Sequence, residues 1–182
     1  GFFNCQELPT DEAVVSWNDQ TIKDFHNLSY SSADPFLKGM YARPIYNIMV
    51  ANEYLRESTD EKLAARKLST DDVNAIKATR PEARFLRAFN YWVMMDLFGR
   101  STFITEANAV GTNLPQEISR GALFAYIETE LKAIETDLKN NLNIVIVSMG
   151  SNKCEYFKSY FEDKLKDLKV SIYTGSSSDS TK

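Results

Sequence analysis

Trp17-Asn18-Asp19-Gln20 is the stretch whose residue types offer the most specific chemistry. A pyranose ring has an apolar C–H face and a rim of hydroxyls, so its binder needs an aromatic platform and planar polar groups. Both stand here within four residues. Tryptophan is also highly buried on average, so Trp17 as the anchor of its own loop is the competing reading, and residue type leaves the two open. Glu7, Asp11 and Glu12 would suit the carboxylate pair of a glycoside hydrolase, whose members lie about 5 to 10 Å apart across a cleft. Their Thr10-Asp11-Glu12 setting is that of a capped turn, which favours a structural role. His26 is the single histidine, and a lone one is more often an ordinary surface or capping residue than a polar contact for ligand. Cys5 and Cys154 are far apart in the chain, and no Cys/His cluster, CxxC, HExxH or Ser–His–Asp set can be assembled. Both thiols are expected to be buried or unpaired. Arg84 and Arg87 sit in an apolar helical stretch and must pair with carboxylates or carbonyls, or lie at its wet edge; buried pairing is the favoured account. The cluster of Phe89, Trp92, Met94 and Met95 reads as core rather than as a cofactor box.

These residues belong to a chain of 182, with 43% hydrophobic and 25% charged residues and 22 aromatic rings (9 Tyr, 11 Phe, 2 Trp). That suffices for the core of one ordinary domain. A net charge of −4 supplies no basic excess for a phosphate backbone, so nucleic acid is a poor candidate partner. The apolar density around Phe85 to Phe98 is broken by Arg87, Asn90 and Asp96, short of the roughly 20 residues that span a bilayer. The opening Gly1-Phe2-Phe3-Asn4-Cys5 has no initiator Met and no signal-like region, so a processed or excised chain is expected.

The elements that must position the candidates follow from patterning. Residues 1–33, rich in Asn, Asp, Ser and Thr, read as an ordered loop with room for one short helix. Asp34 caps and Pro35 opens a helix of about six turns carrying Phe36, Leu37, Met40, Tyr41, Ile45, Ile48, Met49, Asn52 and Leu55, with Pro44 predicting a kink. After a polar connection near Ser58, a helix begins at Ser69 or Thr70 and reaches Phe98, bent or restarted at Pro81 and ended by Gly99. Its last part is apolar in every direction, so it is expected to be central and covered on nearly all sides. Residues 100–117 read as a long loop. A helix capped near Ser119 then places Leu123, Phe124, Ile127, Leu131, Ile134 and Leu138 on one face and Glu128, Glu130, Lys132, Glu135 and Asp137 on the other. Ile144 to Val147 form a β-branched run, a short strand within an otherwise all-α chain. Lys153 to Lys169 are Lys/Phe/Tyr-rich and amphipathic, and the polar Ser176 to Lys182 are expected to be disordered.

Two segments resemble the SusD-like (SusD/RagB) family of outer-membrane glycan-binding lipoproteins, and closely resemble its starch-binding members. One is Phe3-Asn4-Cys5-Gln6-Glu7-Leu8-Pro9-Thr10-Asp11-Glu12. The other is Glu82-Ala83-Arg84-Phe85-Leu86-Arg87-Ala88-Phe89-Asn90-Tyr91-Trp92, continuing through Asp96-Leu97-Phe98-Gly99. Arg120 and Leu123 to Glu128 also fit, so the resemblance spans roughly residues 2–140. It implies tetratricopeptide-like helix pairs over residues 34–140, an irregular ligand-bearing segment over 1–33, and an atypical tail over 141–182. It also implies a lipid anchor on the full-length parent, surface exposure at the outer membrane, oligosaccharide handed to a SusC-like TonB-dependent transporter, and no catalysis, metal or cofactor. In the family pattern the position of Trp17 is a sugar-stacking tryptophan, with Asn18, Asp19 and Gln20 as the polar neighbours. Val15 stands where close relatives carry a second stacking tryptophan, and Gln20 where they carry a sugar-contacting asparagine. Their contacting arginine precedes this stretch, and their further aromatics follow it, so any site here is partial. The competing readings are a helical module that docks the transporter with a degenerate sugar site and, more remotely, a helical glycoside hydrolase. The departure over 141–182 removes the usual neighbour of the Phe124 to Leu138 helix, whose apolar face is then expected to be open and to favour self-association.

Overall fold

In a computed structural model that describes residues 1–108, 111, 114–141, 143–148 and 169–174, the chain runs through short helices α1 (Phe2–Glu7) and α2 (Gln20–His26) into the long α3 (Pro35–Glu57). It continues with α4 (Asp60–Ala65), α5 (Thr70–Ala78), α6 (Arg80–Phe98), β1 (Ser101–Phe103), β2 (Gln116–Ile118) and α7 (Arg120–Asn141), and then β3 (Asn143–Ser148) and β4 (Lys169–Thr174). The architecture is helical, and the β-branched run near 144–147 is a strand, paired in parallel with β4 from Asn143↔Lys169 to Ser148↔Thr174. Among the described residues no helix is long and apolar enough to cross a membrane.

Local chemistry explains most of the helix ends. The Asp34 carboxylate accepts from the Phe36 and Leu37 amides at 2.7 and 3.3 Å, satisfying two donors that α3 leaves unpaired, and Pro35 follows at the first helical position. Ser69 caps α5 through the Asp72 amide at 3.1 Å. The stretch from Thr70 to Phe98 is two helices, with α6 restarting at Arg80 and carrying Pro81 in its first turn. Gly99 closes α6 with φ +73°, a conformation that suits a residue lacking Cβ.

α6 packs between α3 and α7. Their shared core is Ile48 from α3, Ala88, Tyr91 and Met95 from α6, and Leu123 and Ile127 from α7. Each large apolar side chain among them contributes about 1.5–3 kcal/mol by leaving water. A second cluster, Leu8, Ile22 and Phe25 with Cys5, Val15, Phe36 and Leu37 against it, ties α1 and α2 to the start of α3.

Four expectations are corrected. Residues 1–33 hold two helices rather than a loop with at most one, because Leu8, Ile22 and Phe25 gain a common core that their polar neighbours conceal. Residues 100–117 are not simply a loop: β1 and β2 pair antiparallel, Ser101 with Ile118 and Phe103 with Gln116, and Phe103 and Ile118 then pack on the core. α6 is covered on two sides only. Its Phe85, Leu86, Phe89 and Trp92 are exposed, so Met94 and Met95 belong to the core while Phe89 and Trp92 do not. On α7, Leu123, Ile127 and Ile134 are buried, Phe124 and Leu131 are exposed, and Glu130 has left the solvated face to meet arginines of α6. The amphipathic pattern of residues 153–168 and the polar Ser176 to Lys182 lie outside the described residues.

Candidate functional site

The segment carrying Trp17 has no regular secondary structure and runs from the turn after α1 to the start of α2. Thr10 builds that turn: its hydroxyl donates to the Glu7 carbonyl at 2.7 Å and accepts from the Glu12 amide at 3.2 Å. Glu7, Asp11 and Glu12 therefore surround a hydroxyl-closed turn. Val15 packs against the Leu8, Ile22 and Phe25 cluster and holds the segment down. Trp17, two residues on, is 66% exposed, so it is not the buried anchor of its loop.

The three polar neighbours flank the start of α2. Asn18 accepts from the Lys23 ammonium through its side-chain oxygen. Asp19 is the N-cap residue of α2 by position, yet its side chain makes no capping bond. Gln20 is the first residue of α2 rather than a loop residue, and its amide nitrogen donates to Asp24 at 2.8 Å. These bonds fix two of the three side chains while leaving the Asn18 amide nitrogen and the Gln20 carbonyl oxygen without a partner among the described residues. An exposed indole is thus followed in the chain by two planar amide groups that already have hydrogen-bond partners. His26 is exposed at the other end of α2, away from this group in the chain.

A second constellation is ionic and centred on the buried Arg87. Arg84 holds Glu130 through two bonds of 3.1 and 2.8 Å. Arg87, 2% exposed, donates to Glu130 at 2.9 Å, to Asn52 at 2.7 Å and to Glu106, and lies 5.9 Å from the centre of the Tyr126 ring. Burial pushes the Glu130 carboxyl up, but the hydrogen bonds and charges of both arginines outweigh it and hold Glu130 below the usual carboxylate range. Burial also pushes the Tyr91 hydroxyl up to about 12, and that of Tyr126 further in the same direction. Tyr91 exchanges hydrogen bonds with both backbone groups of Ile104, at 2.7 and 2.8 Å, and the Asn52 amide nitrogen donates a second bond to the Ile104 carbonyl at 3.1 Å. Arg56 reaches the Glu106 and Asn108 carbonyls, both at 3.3 Å. The network fastens α3, α6, α7 and the segment after β1 into one body, and satisfies backbone groups of that segment. Pairing of Arg84 and Arg87 was legible from their apolar surroundings. Their partners were not, because Glu130 lies 43 residues from Arg87 and on a face that periodicity assigns to water.

Cys5 is a free, partly buried thiol whose pKa burial raises, which makes it a poor nucleophile. Cys154 lies outside the described residues. Among the described residues no three His, Cys, Asp or Glu side chains converge as metal ligands do.

No family model matches the chain. Over 137 residues, however, it is 35% identical to the starch-binding protein SusD of Bacteroides thetaiotaomicron, a match covering 75% of this chain. Over that stretch the chain is SusD-like in sequence. This SusD-like chain spans about a fifth of the length of the curated relative, 22% of it.

Proposed function

We propose that this chain carries part of a non-catalytic binding surface for starch-like oligosaccharides. In this reading one sugar ring stacks on Trp17 while Asn18, Asp19 and Gln20 bond its hydroxyls. The exposure of Trp17 beside side chains already fixed by their own hydrogen bonds is the observation that carries it. The name of the relative, a starch-binding protein, supplies the class of sugar. By family resemblance the parent protein stands at the outer-membrane surface on a lipid anchor and delivers glycan to a SusC-like TonB-dependent transporter.

Titration calorimetry with maltoheptaose tests the site. Loss of one aromatic stacking contact, at the upper end of about 0.5–1.5 kcal/mol, weakens binding by about tenfold, so Trp17→Ala is expected to lose roughly that much. Its thermal midpoint should stay close to that of the unaltered chain, because an exposed side chain contributes little to folding. Equal affinity in the two chains would reject the site.

One observation favours a second reading. Val15 is packed against the N-terminal cluster and offers no second ring, as a degenerate sugar site in a transporter-docking module would have it. A transporter homologue captured equally well by a chain that shows no glycan binding would favour that module.

A further inference from the structure

A cleft of about 720 Å³ opens at the far end of α2 from Trp17, between the segment after α2 and the outer side of α3. Its position is set by how α2 ends. The Leu28 amide donates to the Phe25 carbonyl at 3.2 Å and the Ser29 amide to the Asp24 carbonyl at 2.8 Å, the paired bonds of a helix-ending turn. Leu28 takes φ +56° where glycine is the usual choice. The reversal lays the Tyr30 ring on Phe25, with centres 4.5 Å apart and planes 13° from parallel.

Phe25 is buried, so Tyr30 is a backed platform that remains 41% exposed. Tyr41 faces the same cleft from α3 and is exposed to the same extent. It is held as firmly, edge-on to Phe98 at 5.5 Å and with its hydroxyl 2.8 Å from that of Thr102. Two exposed tyrosines, each locked from behind, are preorganised for stacking and need lose little side-chain freedom on binding. The cleft surface is mostly apolar, as the C–H face of a sugar ring requires, and besides the two tyrosines the lining residues with polar side chains are Ser31, Ser32 and Lys38. Among the described residues no carboxylate lines the cleft.

We propose that this cleft is a second carbohydrate subsite, which takes pyranose units of the same oligosaccharide against Tyr30 and Tyr41. The proposal rests on the glycan-binding reading of the Trp17 segment. The seven residues of α2 rise about 10 Å, so the two sites are separated by more than one ring and only an extended chain reaches both. A short oligosaccharide occupies one site, and a longer one gains from the second.

Calorimetry with maltotriose and maltoheptaose on the 182-residue chain separates the possibilities. Ala42→Gln fills the cleft from an exposed position of α3 with a good helix former and removes no native contact, whereas Tyr30→Ala also takes away the ring that stacks on Phe25. The unaltered chain is expected to bind maltoheptaose about tenfold more tightly than maltotriose, the factor one good aromatic contact supplies. In Ala42→Gln and in Tyr30→Ala that advantage should vanish, while maltotriose affinity stays within about twofold. Variants that keep the full length dependence, or that lose maltotriose binding as well with their fold intact, overturn the cleft assignment and leave the Trp17 reading standing. An unaltered chain that binds neither sugar overturns the glycan reading, and the subsite with it.

Discussion

Glu130 and Trp17 show how differently two residues can be read from type alone. Glu130 sits at a position that helical periodicity assigns to solvent, yet two arginines from α6 draw it inward. What betrays such a residue is tertiary approach, for which a single chain of letters has no signal. Its pH signature follows. The folded-state pKa lies below the ordinary carboxylate value, so the stability contributed by Glu130 is fully present above about pH 4.3 and is lost as pH falls through the lower folded value. The stability of the unaltered chain, read by urea unfolding, should therefore fall below about pH 4. Glu130→Gln should be less stable at pH 7 and fall less steeply in acid; parallel curves would remove Glu130 from the network. Trp17 is the opposite case. Its residue type left burial and exposure open, and the structure exposes it because Val15, not Trp17, fills the apolar cluster beside α2.

At the scale of elements, the features that were legible are the ones whose causes are local. Asp34 with Pro35, Ser69 and Gly99 each act within a few residues, and each begins or ends a helix where its chemistry requires. The 3-residue strands β1 and β2 are too short to show a period of two, and their pairing spans a connection no local rule anticipates. α1 and α2, of 6 and 7 residues, are marginal alone and form because Leu8, Ile22 and Phe25 share a core. α6 shows the limit of the all-round apolar pattern: it announces a central helix but not which of its faces lacks a neighbour. The cap of α3 permits a direct test. Asp34→Ala leaves the Phe36 and Leu37 amides without their acceptor and is expected to cost about 1 kcal/mol, read from the urea midpoint. Because the Leu8 cluster also packs on Phe36 and Leu37, the loss should loosen α1 and α2 first in hydrogen exchange.

Across the whole molecule, a helical body of α3, α6 and α7 adjoins a polar, aromatic-bearing N-terminal portion. α3, α6 and α7 share one core and one buried ion network, while α2 separates the exposed Trp17 from the tyrosine-walled cleft. The chain covers about a fifth of its curated relative. That glycan binding runs through Trp17 is the claim on which the rest depends. The chain has two tryptophans, and Trp92, on α6 against Phe2 and Phe89, can be replaced by phenylalanine without emptying its place. Trp17 is then the sole indole reporter. Titrating the Trp92→Phe chain with maltoheptaose should produce a saturable change in tryptophan emission as a sugar ring covers the exposed indole. Emission that stays flat through the titration would contradict the account.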